Sequence, residues 1–164
     1  MKKVAIIMGS DSDLPIVEKG INVLKEFGVP YEVHVYSAHR TPNECAKFVK
    51  SARAHGFGVI IAAAGMAAHL AGAVAANTVL PVIGIPISSK NTGGFDALLS
   101  NVQMPSGIPV ATVAIDGAAN SAWLAIEILA LSDAKLYAKL KEAREKACNT
   151  VLEKNKAVEE KFNV

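Results

Sequence analysis

Tyr31-Glu32-Val33-His34-Val35-Tyr36-Ser37-Ala38-His39-Arg40-Thr41-Pro42-Asn43-Glu44 reads as a strand, a polar corner and the start of a helix. Tyr31 to Tyr36 is rich in β-branched and aromatic residues, which suit a pleated, half-buried surface. Thr41 to Glu44 offers an N-cap hydroxyl, a proline at the first helical position, where its missing N–H costs nothing, and a glutamate to close a capping box. Between the two lie a hydroxyl on Ser37, an imidazole on His39 and a guanidinium on Arg40. This corner falls at the carboxyl end of a strand, the edge at which open α/β sheets bind ligands. Histidine is the residue type that exchanges protons near neutral pH, and an arginine beside a helix start can hold a phosphate.

The same unit recurs on both sides of this stretch. Val4 to Met8 is a fully apolar run bounded by Gly9, the pattern of a central parallel strand. In Ser10-Asp11-Ser12-Asp13-Leu14-Pro15, Ser12 or Asp13 can cap a helix whose inner face is Leu14, Val17, Ile21 and Leu24 and which stops at Gly28. Downstream, a helix is predicted from Pro42 to about His55, and a strand from Val59 to Ala63. Ala64 to Leu70 then leads into a small-residue helix reaching about Asn77. Val82 to Ile85 is a strand ended by Pro86, followed by the polar loop Ser88 to Gly94 and a short helix to about Asn101. Val110 to Ala114 is a fifth strand, and a helix runs from about Ala118 to Leu131.

Parallel strands need crossover helices, and those crossovers are right-handed. The alternation therefore predicts an α/β protein: a three-layer, flavodoxin-like, doubly wound five-stranded parallel sheet, with 2-1-3-4-5 the default strand order. Ser132 to Val164 reads as one long helix with Leu136, Leu140, Ala143, Ala147 and Val151 on one stripe among lysines and glutamates. The helix before it carries Trp123, Leu124, Ile126, Ile128 and Leu129 and is apolar on more than one face, which argues for burial between two surfaces. The expected organisation is one domain over 1–164, with an α/β core at 1–131 and a C-terminal helix at 132–164 that packs on other subunits of a homo-oligomer.

At 164 residues the chain can bury a substantial core, and with 51% apolar but only 5% aromatic residues, Ala, Val, Ile and Leu must fill it. The net charge of +2 has no basic cluster behind it, so nucleic acid is not an expected partner. Cys45 and Cys148 have neither metal nor redox spacing and fit a reducing cytoplasm. No apolar run is long enough to span a bilayer, and the run before Gly9 is too short for a secretory signal. A membrane association is therefore not expected.

Chemistry-bearing residues fall at one edge of the predicted sheet. Ser10, Ser12 and Asp13 follow strand one, Ser37, His39 and Arg40 strand two, His69 strand three, and Ser88 and Ser89 strand four. A single pocket can collect them and take a small-molecule substrate. Neither a Walker loop nor a Gly-x-Gly-x-x-Gly fingerprint is present, which argues against an NTPase or a dinucleotide enzyme. A receiver-like signalling module would want an acceptor aspartate after strand three, where Ala62-Ala63-Ala64 stands. Serine hydroxyls suit a phosphate and Asp13 suits sugar hydroxyls, although Ser12 and Asp13 fit plain helix capping as well. The nearly apolar neighbours of His69 fit a buried structural imidazole as well as a catalytic one. His34, mid-strand, and His55, at a helix end where it can favour the dipole, read as structural.

Four linked stretches carry a family resemblance. Met8-Gly9-Ser10-Asp11-Ser12-Asp13, Ser37-Ala38-His39-Arg40-Thr41-Pro42, Ala67-Ala68-His69-Leu70, and Val102-Gln103-Met104-Pro105 with Gly107-Ile108-Pro109-Val110 resemble the N5-carboxyaminoimidazole ribonucleotide mutases of purine biosynthesis, from Val4 to about Leu131. The resemblance implies a cofactor-free, metal-free, octameric enzyme that moves a carboxylate from the exocyclic nitrogen to carbon 4 of an aminoimidazole ribonucleotide. By the same resemblance Ser10, Asp13 and Arg40 bind the nucleotide, with Ser12 and Ser37 helping at the phosphate. His39 is the acid/base, and His69 lies over the reacting end, where Gly65, Ala68 and Leu70 help to line a dry pocket. A related branch carboxylates aminoimidazole ribonucleotide directly, and typically has Lys at the position of Arg40 and Ser-Asn-Ala in place of Ala67-Ala68-His69; the present chain resembles the mutase branch at both places. It departs from the commonest mutase pattern at Met66, often Gly, and at Ala71, often Pro. Without Gly at 66 that loop is expected to have less freedom for positive φ.

Overall fold

Val4, Ile6 and Met8 face one way and Ala5 and Ile7 the other, and all five are buried, so the first strand is covered on both faces. In the computed structural model, which describes residues 1–163, this strand is β1 (Lys3–Met8), and β2 (Tyr31–Val35), β3 (Phe57–Gly65), β4 (Val82–Ile87) and β5 (Ala111–Thr112) join it in one parallel sheet. The order is β2-β1-β3-β4-β5, the doubly wound order predicted. Six α-helices complete the described residues: α1 (Leu14–Phe27), α2 (Pro42–Ala52), α3 (Leu70–Ala75), α4 (Phe95–Val102), α5 (Ala118–Ala130) and α6 (Ala134–Phe162). Val164, the last residue of the predicted C-terminal helix, lies outside the described residues.

The two layers of helices bury separate cores. On one face Ile6, Ile61, Ile83 and Ile85 meet Val17 and Leu24 of α1 and Ala122 and Ile126 of α5; on the other Ile7, Ile60 and Val82 meet Val49 of α2 and Leu70 and Val74 of α3. Small residues let α1 and α5 approach closely: a Cβ on Gly20 would stand 2.6 Å from the Ala118 carbonyl oxygen. Phe27 meets Trp123 edge to face at 4.9 Å between ring centres.

Several boundaries differ from the sequence reading, each for a local reason. Leu14 is 37% exposed rather than on the inner face, because a 3₁₀ turn at Asp11–Asp13 precedes α1 and leaves its first residue at the surface. Asp13 stands at the N-cap of α1 but its side chain makes no capping hydrogen bond, and Ser10 instead caps the preceding 3₁₀ turn, accepting from the Ser12 N–H. The expected Thr41–Glu44 capping box is not formed: the Thr41 hydroxyl accepts from the Ser37 N–H at 2.9 Å and donates back to the Ser37 carbonyl. α2 ends at Ala52, and the His55 N–H donates to the carbonyls of Ser51 (3.2 Å) and Ala52 (3.1 Å), so His55 stands at the helix end as expected.

Pro86 does not end β4. Its carbonyl accepts from the Asp116 N–H, so its missing donor faces the β5 side, where the ladder has already stopped at Gly84–Thr112. The predicted strand over Val110 to Ala114 is correspondingly reduced to two paired residues, and α3 is only six residues long.

The Asp133 carboxylate caps α6 by accepting from the Leu136 N–H at 3.0 Å. Leu136 and Leu140 are buried, each burial worth about 1.5–3 kcal/mol. Lys139 reaches back to the carbonyl of Phe27 at the end of α1. Beyond Ala143 the predicted stripe runs off the core, and Ala147 and Val151 are exposed.

Candidate active site

The carboxyl ends of β1 to β4 open into one cavity of about 550 Å³ at the point where the strand order reverses. Ser10, Ser12, Asp13, Ser37, His39, Arg40, Gly65, His69 and Leu70 all line it, as do Ser88 and Ser89. Of the sequence-predicted site residues only Ala68 is absent from the lining; it is buried beneath the loop.

The corner after β2 is built around Ser37. Its Oγ accepts from the N–H groups of His39 (3.3 Å) and Arg40 (3.1 Å), leaving the hydroxyl proton free to donate. The Arg40 guanidinium donates to the Gly9 carbonyl at 3.1 Å, tying this corner to the one after β1. There the Ser12 hydroxyl donates to Ser10 Oγ at 2.9 Å. Asp13 is 8% exposed, and burial pushes its carboxyl above the ordinary range; hydrogen bonds from the Ser10 backbone and the Ser12 hydroxyl oppose that rise, and nearby Asp11 adds to it.

His39 and His69 come from different loops and meet: Nε2 of His39 lies 3.3 Å from Nδ1 of His69, with ring centres 5.2 Å apart. One ring donates and the other presents a lone pair, so a proton on either is in contact with both. Both rings are exposed to the cavity, which removes the buried, structural alternative for His69.

The loop after β3 makes the apolar side of the cavity through Ala64, Gly65, Met66, Ala67 and Leu70. Met66 takes φ +53°, contrary to the expectation that a non-glycine residue would forgo positive φ here. The neighbouring backbone fixes it, with Ala68 N–H donating to the Met66 carbonyl at 2.8 Å and His69 N–H to the Ala67 carbonyl at 2.7 Å. Sequence reasoning also missed Asp116, at φ +57°, whose carboxylate accepts from the Ser88 N–H and so holds the loop after β4. The Asp116-Gly117 pair carried a turn signal but no hint of this reach.

Among the described residues no three His, Cys, Asp or Glu side chains are placed to share a metal ion, and no helix is long and apolar enough to cross a membrane. His34 is half-buried beside Glu32 and His55 is exposed; neither lines the cavity.

A doubly wound sheet whose switch point gathers an imidazole pair, a guanidinium and hydroxyls defines a small-molecule enzyme of the α/β class. The profile of one such family, AIR carboxylase, matches residues 3–150, and the chain belongs to that family. It is 55% identical to the N5-carboxyaminoimidazole ribonucleotide mutase of Pyrococcus horikoshii over 96% of this chain and 89% of that one. The corresponding mutase of Methanocaldococcus jannaschii is also 55% identical, over 97% and 99% of the two chains. In structure it is similar to crystalline Treponema denticola PurE, with a TM-score of 0.86 at 30% identity and 98% of each chain covered.

Proposed function

We propose that this protein is an isomerase of purine biosynthesis that converts N5-carboxyaminoimidazole ribonucleotide to 4-carboxy-5-aminoimidazole ribonucleotide. Within its family, the observation that carries this reading is the cavity in which the His39–His69 pair stands between a polar, phosphate-compatible side and an apolar one.

The chemistry follows from those neighbours. His39 in its protonated form delivers a proton to the exocyclic nitrogen as the carbamate bond breaks, leaving aminoimidazole ribonucleotide and carbon dioxide. Ala64, Gly65, Ala67 and Leu70 keep water from the reacting end, with Ala68 packed beneath them. Carbon 4 of the electron-rich ring then attacks carbon dioxide, and the now neutral His39 removes the carbon 4 proton to restore aromaticity. One imidazole is acid and then base, and no net proton is consumed. His69, 3.3 Å away, holds the His39 ring by the hydrogen bond between them. Arg40 with Ser37, Ser10 and Ser12 binds the phosphate end, using donors these loops already present, and Asp13 accepts from the sugar hydroxyls. The first half-reaction breaks a nitrogen–carboxylate bond and the second makes a carbon–carboxylate bond, each with one proton transfer and no change of oxidation state, so the reading requires no cofactor.

The chain acts as one domain in a cytoplasmic homo-oligomer, with an octamer as the assembly the resemblance implies. The support within the chain is α6, which leaves Val151, Leu152, Val158 and Phe162 each more than half exposed. The test is conversion of N5-carboxyaminoimidazole ribonucleotide by the purified protein, followed by absorbance with and without a trap for free carbon dioxide. Conversion unaffected by the trap is expected. Turnover only of aminoimidazole ribonucleotide supplied with bicarbonate would replace this reading by the direct carboxylase.

A further inference from the structure

We propose that Met66 is the cover of the cavity: its side chain folds over the bound aminoimidazole ring and keeps carbon dioxide captive between the two half-reactions, an inference that rests on the mutase reading above. Two features of this residue are unfavourable in the open cavity. Its backbone sits at φ +53°, a region that residues other than glycine rarely adopt, and its large apolar side chain is 64% exposed although it lines the cavity. Its chain neighbours Gly65 and Ala67 are small and offer little to pack against it.

The loop holds this conformation from both sides. Gly65 is the last paired residue of β3, opposite Ile87, and a Cβ there would stand 3.3 Å from the Ile87 carbonyl oxygen. After Met66, the tight turns closed by Ala68 N–H and His69 N–H lead directly into α3. Strain fixed in this way gathers where a side chain must be held in one place for function. Here that place is three residues before His69, whose ring touches His39, so the thioether stands at the rim beside the proton-handling pair.

Methionine suits a cover. It is unbranched, adapts to an irregular surface and makes favourable sulfur contacts with aromatic rings. A glycine at 66 would adopt the same backbone without strain but would leave the mouth open. The exposed thioether thus gains a packing partner when a heteroaromatic ring fills the cavity, and water is excluded at that moment.

The first test uses the wild-type protein. Oxidation of Met66 to the sulfoxide by dilute hydrogen peroxide, read by mass spectrometry, should slow several-fold when aminoimidazole ribonucleotide saturates the protein. Met1, 62% exposed and outside the cavity lining, should be oxidised at an unchanged rate and serves as the internal control. Equal oxidation of Met66 with and without the nucleotide would overturn the inference.

The second test measures leakage: the carboxylate lost to a carbon dioxide trap per molecule of product formed. Met66→Gly and Met66→Ala should each raise it several-fold, and Met66→Leu should restore it towards wild type. Met66→Gly should melt no lower than wild type, since it relieves the positive φ, which separates loss of the cover from damage to the fold. Unchanged leakage in both Met66→Gly and Met66→Ala, in a wild-type background that converts the substrate, would overturn the role of Met66 alone. A wild-type protein that leaves N5-carboxyaminoimidazole ribonucleotide unchanged would instead overturn the mutase reading itself.

Discussion

The two sides of the cavity are held by different means. On the polar side, side chains fasten backbone: Ser37 Oγ receives two N–H groups, Thr41 grips Ser37 at both its N–H and its carbonyl, and Arg40 reaches to Gly9. On the apolar side, backbone fastens backbone: β3 pairs with β4 as far as Gly65, and two tight turns carry the chain to His69. On the proposed reading, the groups that meet a charged ligand are preorganised by exchangeable hydrogen bonds, whereas those that exclude water are preorganised by chain geometry that leaves no side-chain donor free. His69 is the exception on the apolar side, and its partner is His39 from the polar one.

The sharpest way to test that division is to remove a function from the polar side without disturbing its scaffold. His39→Asn keeps a side chain of similar reach but no exchangeable ring proton. Turnover should fall by about 100-fold or more, the worth of a positioned acid/base, while nucleotide affinity stays near wild type. Near-normal turnover would move the proton transfer elsewhere. Arg40→Ala should do the reverse and on a smaller scale: a lost charge-assisted contact of about 1.5 kcal/mol raises KM by roughly tenfold. Turnover at saturation should be less affected, so an unchanged KM in steady-state assays would show that the phosphate end lies elsewhere.

How much of this was legible in the sequence depended on whether the determinant was local. The strand order, the six helices and the edge that collects Ser10, Ser12, Asp13, Ser37, His39, Arg40 and His69 follow from hydrophobic runs and strand ends, which one-dimensional patterns record well. Capping was misread because Thr41 had a competing partner in Ser37, four residues back, and the sequence does not rank two available hydrogen bonds. Pro86 was misread as a strand end because its tolerance depends on β5 stopping short, a fact of the neighbouring strand. The His39–His69 contact joins loops 30 residues apart, and the positive φ of Met66 is imposed by the strand and helix on either side of it. Neither has a signal of its own in the residue types nearby.

The smallest effect predicted concerns the cost of building the polar side. Asp13 is a carboxylate held at 8% exposure, and desolvation raises its pKa above that of the unfolded chain. The folded protein therefore binds a proton at this group more tightly than the unfolded one. The stability contributed by Asp13 is complete below the unfolded carboxylate pKa and is lost as pH rises through the higher, folded value. At neutral pH the group is thus kept at the expense of the fold. Asp13→Asn, neutral and of the same shape, should melt higher than wild type at neutral pH by on the order of 1 kcal/mol, a common scale where site residues trade stability for function. The two melting profiles should converge in acid, and, on the proposed reading of Asp13, nucleotide binding should weaken because a carboxylate accepting from the sugar hydroxyls becomes a neutral amide, half of which only donates. An Asn variant that melts lower than wild type at neutral pH would mean that hydrogen bonds from Ser10 and Ser12 outweigh the burial. The polar side would then carry no stored cost, and the two sides would differ in energy as well as in construction, with the unfavourable conformation of Met66 confined to the apolar one.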